Sequence, residues 1–286
     1  MWDLHIDAYS PKEMASRVEK IGVAKATNSF TKMFVLSLLA GGFIALGSQF
    51  YTFIIHDSVL SLGFTQLIGG LGFTLGLILI IIGGAELFTG NTLIVMAYVQ
   101  KKISFYLMLR NWVIVFAGNF LGALILVLLV YLAQQPLIND QLVGAKTILI
   151  ANTKVNYSFL EAFMRGILCN ILVVLAVWLS FGARSVTDKI AAIILPIAAF
   201  VTSGFEHSIA NMYFIPMGIL LVHRNIGFEQ AEEILGYPIN TDMLNWGSFI
   251  INNLIPVTLG NIVGGVLFVG LVYWFVYLKD EDPGLN

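Results

Sequence analysis

Long apolar runs separated by short polar segments dominate the pattern of this chain. Six of these runs reach the length of about 20 apolar residues that a membrane-spanning helix needs. They cover residues 33–55, 62–99, 112–133, 158–181, 191–222 and 247–278. The pattern predicts an all-α membrane protein with six transmembrane helices.

The second and fifth runs are too long for one simple helix, and each is interrupted near its middle. The interruptions fall at Gly83-Gly84 and at Ser203-Gly204. We predict that each run forms two half-helices joined by an unwound turn, with the second halves starting near Thr89 and near Ser208. Unwound backbone is tolerated at membrane depth only where protein or a water-filled cavity surrounds it. Both breaks are therefore expected to line a transport path.

Two sequence motifs recur in the same order in the two halves of the chain. G-x-E-x4-N spans residues 84–91 and 204–211, and N-x6-G-N-x2-G spans residues 111–122 and 253–264. Each half contains three runs, an odd number, so the halves must cross the membrane in opposite directions. The motifs predict an inverted 3+3 repeat with broken second and fifth helices. The glycines and asparagines of the second motif suit helix packing, so a scaffold role is favoured for them over ligand contact.

Composition and charge agree with a membrane protein and give its orientation. Only 11% of the residues are charged, against about 25% in soluble proteins. Eleven Lys and Arg residues fall on one side of the predicted spans and three on the other, while Arg165 lies inside the fourth run. This distribution predicts a multi-pass protein of the inner membrane with both termini cytoplasmic. Cys169 is the only cysteine, which excludes an internal disulfide.

The ends of the chain are predicted to differ from its apolar middle. Residues 1–31 form an expected cytoplasmic amphipathic segment, with a capping box at Ser10-Pro11-Lys12-Glu13. Its helix is expected on the inner membrane surface, either as a plain surface helix or as a gate. Residues 32–279 form the expected six-helix channel domain, and residues 280–286 a short acidic cytoplasmic tail.

Titratable side chains at membrane depth mark candidate functional sites, because burying them there is costly. Glu86 and Glu206 each lie beside a break. They could coordinate a permeant species or bind the exposed backbone of the break, and for an anion path the structural role is favoured. His207 is the only histidine deep in a run, and an imidazole can give or take a proton near neutral pH. Helix N-termini favour anions, so the two breaks predict an anion path past His207.

Large apolar side chains flank the breaks, and one further polar group lies within the fourth run. The apolar side chains are Phe73, Leu77, Leu87 and Phe200. They are either packing residues or hydrophobic constrictions that exclude water and strip hydrated ions. The polar group is Asn170, next to Cys169.

Four stretches resemble the formate–nitrite transporter family: GAELFTGN, RGILCNILVVLAVWLSFGARS, SGFEHSIANMYFIPMGI and NLIPVTLGNIVGG. The resemblance covers all six predicted spans and is closest to formate channels of the FocA and FdhC kind. It implies an aquaporin-like fold and a homopentamer with one pore per subunit. It also implies passage of small monovalent anions or their weak acids, with formate as the expected substrate.

The resemblance also implies roles for particular residues. His207 matches the central pore histidine, and Thr89 matches its partner on the flexible loop of the second span. Asn170 matches the pore asparagine, Lys154 the lysine ahead of the fourth span, and Glu206 the residue before the histidine. The constriction residues are matched by Leu77 and Phe200, with Phe73 and Leu87 beside them.

Other functions remain as alternatives at this stage. Arg165 and Gly90-Asn91 replace an uncharged residue and a Ser-Thr pair of formate channels, and are more like nitrite and hydrosulfide members, so these two anions are alternative substrates. An aquaporin-like neutral-solute pore would carry a pair of Asn-Pro-Ala motifs, which the sequence lacks. A membrane enzyme would need a nucleotide or metal motif, and neither G-x4-GK[ST] nor H-E-x-x-H occurs. No enzyme activity, cofactor, metal or nucleic-acid partner is expected.

Overall fold

The computed structural model describes residues 9–280, and these residues are helical with no β-strand among them. In chain order the first seven helices are α1 (Pro11–Thr27), α2 (Phe30–Ile55), α3 (Leu62–Gly83), α4 (Phe88–Asn91), α5 (Val95–Val99), α6 (Phe105–Leu132) and α7 (Leu142–Val155). The next seven are α8 (Phe159–Phe181), α9 (Val186–Thr202), α10 (Ser208–Arg224), α11 (Phe228–Leu235), α12 (Trp246–Ser248), α13 (Ile255–Gly265) and α14 (Leu271–Tyr277). The predicted acidic tail, residues 280–286, lies outside the described residues apart from Asp280.

Within residues 9–280, five helices are long and apolar enough to cross a membrane. They are α2, α3, α6, α8 and the continuous helix Trp246–Tyr277, in which π-helical turns join α12, α13 and α14. The run predicted at 191–222 forms α9 and α10, which have 17 residues each. The chain is therefore a multi-pass, all-helical membrane protein.

Both predicted breaks are present, and each contains a glycine in the left-handed region. Gly84 follows α3 with φ +74°, and Gly204 follows α9 with φ +66°. Glycine adopts this conformation without the steric cost that a Cβ brings. After the second break, α10 begins at Ser208, the position that the sequence predicts.

The first break departs from the prediction of a regular half-helix up to residue 99. The chain after it forms only the four-residue α4, a 3-10 turn at Thr92–Ile94 and the five-residue α5. Thr92 Oγ1 donates to the Thr89 carbonyl at 2.7 Å, a local bond that competes with regular helix geometry. This segment is therefore less regular than its counterpart α10.

Glycines let neighbouring helices approach closely in both halves of the chain. A Cβ on Gly122 of α6 would overlap the Leu38 carbonyl of α2, and a Cβ on Gly260 of α13 would overlap the Phe163 carbonyl of α8. The packing role that the sequence predicts for these glycines is confirmed. The equivalent contacts build the same helix pair in each half.

The helices α1, α7 and α11 lie outside the predicted spans. The capping box at Ser10 and Glu13 begins α1 as predicted. On the apolar face of α1, Met14 and Val18 pack among residues of the irregular segment after the first break, such as Ile94. The sequence did not predict α7, which is too short for a span and ends at Val155 just after Lys154.

Candidate functional site

The two breaks meet at a contact between His207 and Thr89. The Thr89 Oγ1 atom lies 2.9 Å from His207 Nε2, and both side chains are buried. His207 caps α10, since its Nδ1 accepts the Ala210 backbone N–H at 3.1 Å. Because Nδ1 accepts, the neutral ring carries its proton on Nε2 and donates it to the Thr89 hydroxyl. The pair presents one imidazole and one hydroxyl at the point where the breaks converge.

Four large apolar side chains are buried in the core that contains the two breaks. The rings of Phe73 and Phe200 meet edge-to-face with their centroids 5.5 Å apart. The Phe200 ring also stacks on the His207 imidazole, with a centroid distance of 6.0 Å. Leu77 and Leu87 are buried in the same core as the two rings. The structure thus brings Phe73 and Phe200 into contact beside His207 and places Leu77 and Leu87 in the same core.

Two cavities of about 510 Å³ each lie at opposite ends of α3. The first, the α1-side cavity, reaches the Gly84 end of α3, and α1, Leu77 and Leu87 contribute to its wall. The second, the α7-side cavity, reaches the Leu62 end, and its wall includes α7, Phe73, Phe200 and His207. Leu77 and Leu87 therefore face one chamber, and Phe73 and Phe200 face the other.

Basic side chains outnumber carboxylates in both chambers. Among the described residues, the α1-side cavity is lined by Arg17, Lys25, Arg184 and Lys189, with Glu86 as the carboxylate. The α7-side cavity is lined by Lys146 and Lys154, with Glu206 as the carboxylate. Burial lowers the pKa of Lys146 from its ordinary value. This balance of charge raises the local concentration of anions in both chambers.

On the α7 side, Glu206 is held by a lysine and two asparagines. Its carboxylate accepts from Lys154 Nζ at 2.7 Å, from Asn211 Nδ2 at 2.7 Å and from Asn253 Nδ2 at 3.2 Å. Asn253 Nδ2 also donates to the Lys154 carbonyl at 2.9 Å. A buried carboxylate needs such partners, because an unpaired charge there is very costly.

The α1 side repeats this arrangement with Glu86 at its centre. The carboxylate accepts from Lys25 Nζ at 3.1 Å and from Asn91 Nδ2 at 2.6 Å. Asn111 accepts from Asn91 at 2.9 Å and donates to the Lys25 carbonyl at 3.1 Å. Both glutamates are therefore built into networks of side chains. The prediction that their carboxylates bind the exposed backbone of the breaks was wrong for the described residues, because their partners are lysine and asparagine side chains.

Two asparagines of the second motif cap the helices that follow the breaks. Asn119 Oδ1 accepts from the Phe88 N–H at 2.9 Å, and Asn261 Oδ1 accepts from the Ser208 N–H at 2.9 Å. The Nδ2 groups donate to the carbonyls of Glu86 and Glu206 respectively. The Phe88 and Ser208 N–H groups are therefore not open to an anion, although the sequence predicts an anion path at these helix ends, because the asparagines satisfy them. Lysine and arginine side chains are the clearer source of positive potential.

Asn170 lines neither chamber and instead bonds to the backbone of the first break. Its Nδ2 donates to the Asn261 carbonyl at 2.6 Å and to the Thr89 carbonyl at 3.3 Å. Sequence reasoning missed Lys25, since it lies in a helix interpreted as a surface element. The repeated motif could have indicated this lysine. Asn253 donates to the Lys154 carbonyl, and Asn111, at the same place in the first copy of the motif, donates to the Lys25 carbonyl.

A family model described as "Formate/nitrite transporter" matches residues 12–275. The chain belongs to the formate/nitrite transporter family. Members of this family are channels and transporters, and the resemblance seen in the sequence is confirmed.

Relatives within the formate/nitrite transporter family align over almost the whole chain. A protein named "Formate channel FocA" from Escherichia coli strain K12 is 43% identical over 282 residues, covering 98% of each chain. "Formate channel BtFdhC" from Bacillus thuringiensis is 33% identical, covering 96% of this chain and 98% of that protein. A solved structure described as "Pentameric formate channel with formate bound" is 46% identical with a TM-score of 0.80, covering 87% of this chain and 98% of that one.

Proposed function

We propose that this chain is a membrane channel for formate, which passes as a small monovalent anion or, with a proton from His207, as formic acid. The observation that carries the proposal is the 2.9 Å contact between Thr89 and His207, set among apolar side chains between two basic chambers. The FocA relative, 43% identical over 98% of both chains, supports formate as the substrate. Nitrite and hydrosulfide are the alternative anions within the family.

The proposed architecture has six spans arranged as an inverted 3+3 repeat, with an aquaporin-like course and breaks in the second and fifth spans. The matching networks around Glu86 and Glu206 support the repeat, as do the matching caps from Asn119 and Asn261. In this arrangement residues 32–279 are the channel domain. Residues 1–31 and 280–286 lie on the cytoplasmic side of the inner membrane, which the distribution of Lys and Arg supports.

The proposed assembly is a homopentamer with one pore in each subunit. It is supported by the pentameric solved relative, which is 46% identical. Both chambers and the Thr89–His207 pair come from one chain, so each subunit would hold a complete pore. A native mass measurement in mild detergent tests this assembly, and a monomer or dimer would contradict it.

The proposed route begins with attraction of the anion by Lys25 on one side or Lys154 on the other. The permeant species then crosses the layer formed by Leu77, Leu87, Phe73 and Phe200, with Thr89 and His207 as its polar partners. Asn170 holds the backbone of the first break through the Thr89 carbonyl, and Glu206 holds the Lys154 ammonium beside the second break. Because the layer is apolar, it limits both the size and the hydration of what passes.

The protonation state of His207 determines whether formate crosses this apolar layer as an anion or as formic acid. A carboxylic acid with the reference carboxyl pKa is almost entirely anionic at neutral pH, and an anion pays heavily to enter an apolar layer. To lend a proton, the ring must first become imidazolium, and the new Nδ1 proton displaces the bond from the Ala210 N–H. An arriving anion stabilises that charged ring, so binding of the substrate and protonation are coupled.

The experiment is transport by the purified protein in liposomes. Uptake of formate, acetate, nitrite and hydrosulfide is compared at two pH values, with protein-free liposomes as the baseline. We expect formate to be carried fastest and potassium to be excluded, so a potassium formate gradient should give a reversal potential near that of the anion. Faster transport of nitrite or hydrosulfide would select that alternative, and a reversal potential near that of potassium would contradict the anion path.

A matched pair of threonine variants links the transport to the site. Thr89→Val removes the hydroxyl that contacts His207 and should reduce formate uptake strongly. Thr258→Val makes the same change at a buried hydroxyl that has no hydrogen-bond partner within the described residues. Uptake by the Thr258 variant should match that of the wild type. Equal uptake by both variants would remove the Thr89–His207 pair from the proposed route.

A further inference from the structure

Arg165 on α8 contacts the second break from outside the chambers. Its Nη1 donates to the Gly204 carbonyl at 2.8 Å, the carbonyl of the residue that takes the left-handed conformation. Its Cζ lies 4.5 Å from the centre of the Tyr157 ring, a cation–π contact. Tyr157 in turn forms part of the wall of the α7-side cavity. The guanidinium therefore links the backbone of the second break at Gly204 to Tyr157 in the wall of the α7-side cavity.

The equivalent residue at the first break cannot make this contact. The Arg165 carbonyl accepts the Glu206 N–H at 3.2 Å, and the Leu36 carbonyl accepts the Glu86 N–H at the same distance. Leu36 thus occupies the position of Arg165 in the first half of the chain. A Cβ placed on Gly84 would meet nothing within 4 Å, whereas one on Gly204 would lie 3.4 Å from Arg165 Nη1. The two breaks share the hydrogen bond from the glutamate N–H to the neighbouring helix. Among the described residues, only the second also has the guanidinium contact with its left-handed glycine, which we call the clamp.

The turn at Gly204 connects Phe200, which precedes it, to His207, which follows it. The Phe205 N–H donates to the Phe200 carbonyl at 3.1 Å, which closes the turn around Gly204. Phe200 packs on Phe73 on one side of the turn, and His207 follows on the other. A shift of the Gly204 carbonyl therefore moves the spacing between the Phe200 ring and the imidazole.

We propose that Arg165 is a positioning residue that holds the second break in one conformation and thereby sets the size selectivity of the pore. The inference rests on the proposed anion channel. Among the described residues, the first break, with Leu36 in the equivalent position, has no such guanidinium contact and is the more compliant of the two. Removing the guanidinium should loosen the Phe200–His207 spacing and admit larger carboxylates.

The test uses the full-length protein with Arg165→Leu, which installs the residue found at the equivalent position of the first half, and Arg165→Lys. Arg110→Leu is the matched control, because Arg110 Nη1 also donates to a backbone carbonyl, that of Asn28 at 3.2 Å, away from the second break. Amide hydrogen exchange is measured over residues 203–207 and 84–87. Uptake of formate and acetate by liposomes gives the apparent affinity, the maximal rate and the ratio of the two substrates.

Arg165→Leu should speed exchange over residues 203–207 by on the order of 10- to 100-fold, the effect of losing a hydrogen bond to a charged group. Exchange over residues 84–87 should stay at the wild-type rate, and the acetate-to-formate ratio should rise. Arg165→Lys can bond the carbonyl but loses the planar fork, so it should restore part of both effects and carries the test if the leucine variant fails to fold. Arg110→Leu should leave both readouts unchanged.

Two results would overturn the inference. One is unchanged exchange at residues 203–207 in Arg165→Leu, whatever happens to transport. The other is faster exchange with an unchanged acetate-to-formate ratio, which would reduce Arg165 to a structural anchor. Failure of the wild type to carry formate would contradict the proposed function instead, and the exchange measurement would still report on the clamp.

Discussion

Thr89 and His207 are 118 positions apart in the sequence, yet the Thr89 hydroxyl lies 2.9 Å from His207 Nε2. The contact joins the two breaks of the chain, and the His207 Nδ1 atom is already engaged by the Ala210 N–H. The Nε2–H group is therefore the one polar hydrogen that the neutral ring can offer to a passing molecule.

His207→Asn should separate hydrogen bonding from proton transfer. The asparagine amide can still cap α10 and donate toward Thr89, but it cannot take up a proton at physiological pH. Formate uptake driven by an inward pH gradient should therefore collapse, while electrogenic leak of the anion persists. Uptake by liposomes with and without an imposed pH gradient measures both. If the variant still accumulates formate in a pH-dependent manner, His207 is not the proton donor.

Phe200→Ala should widen the constriction. The Phe200 ring contacts both Phe73 and the His207 imidazole, so its removal opens space on the line between the chambers. Formate flux should rise, and larger acids such as acetate and lactate should enter. Phe249→Ala is the control, because Phe249 is fully buried and lines neither chamber. Unchanged flux and selectivity in the Phe200 variant would make Phe200 a packing residue.

The sequence predicts the parts of this fold that depend on local pattern. The apolar runs locate the spans, Gly84 and Gly204 locate the breaks, and the second motif locates the close helix contacts. The position of α1 depends instead on the irregular segment after the first break, whose apolar surface α1 covers. No periodicity in a single segment reports such a long-range contact.

The residues of the candidate site also fall into two groups, those that the sequence alone points to and those that it does not. His207 and Glu206 stand out because titratable groups are rare at membrane depth. Lys25 does not stand out, since a lysine in an amphipathic helix is ordinary, and its role follows only from its 3.1 Å contact with Glu86. The side-chain contact of Arg165 with Gly204 depends on the course of the second break, which sequence spacing does not give.

Glu206→Gln should destabilise the protein more than Glu86→Gln. Each change leaves a lysine without its counter-ion, and breaking a buried ion pair costs about 3–5 kcal/mol. The ion pair between Lys154 and Glu206 is shorter and less exposed than the pair between Lys25 and Glu86. The N···O distances are 2.7 Å and 3.1 Å, and the lysine side chains are 14% and 29% exposed, respectively. Greater solvent screening of Lys25 reduces the cost on that side. Thermal unfolding in one detergent measures both variants.

The double variant Glu206→Gln with Lys154→Met serves as the control for this comparison. It removes the unpaired charge as well as the carboxylate, so part of the lost stability should return. An equal loss of stability in Glu206→Gln and Glu86→Gln would mean that burial of the lysines does not govern these pairs. A double variant as unstable as Glu206→Gln alone would assign the loss to the asparagine contacts instead.

Gly260→Ala and Gly63→Ala should change stability in opposite directions. The Cβ of alanine at position 260 would overlap the Phe163 carbonyl, which belongs to the backbone of α8 and cannot rotate away, while a Cβ at Gly63 meets nothing within 4 Å. Overpacking typically costs about 1–3 kcal/mol, so the Gly260 variant should unfold at a lower temperature. Alanine at position 63 favours the helical state by up to about 1 kcal/mol and should unfold at the wild-type temperature or slightly above it. Equal behaviour of the two variants in thermal unfolding would show that α8 and α13 can separate without cost, and that the close contact between them does not hold this half of the channel together.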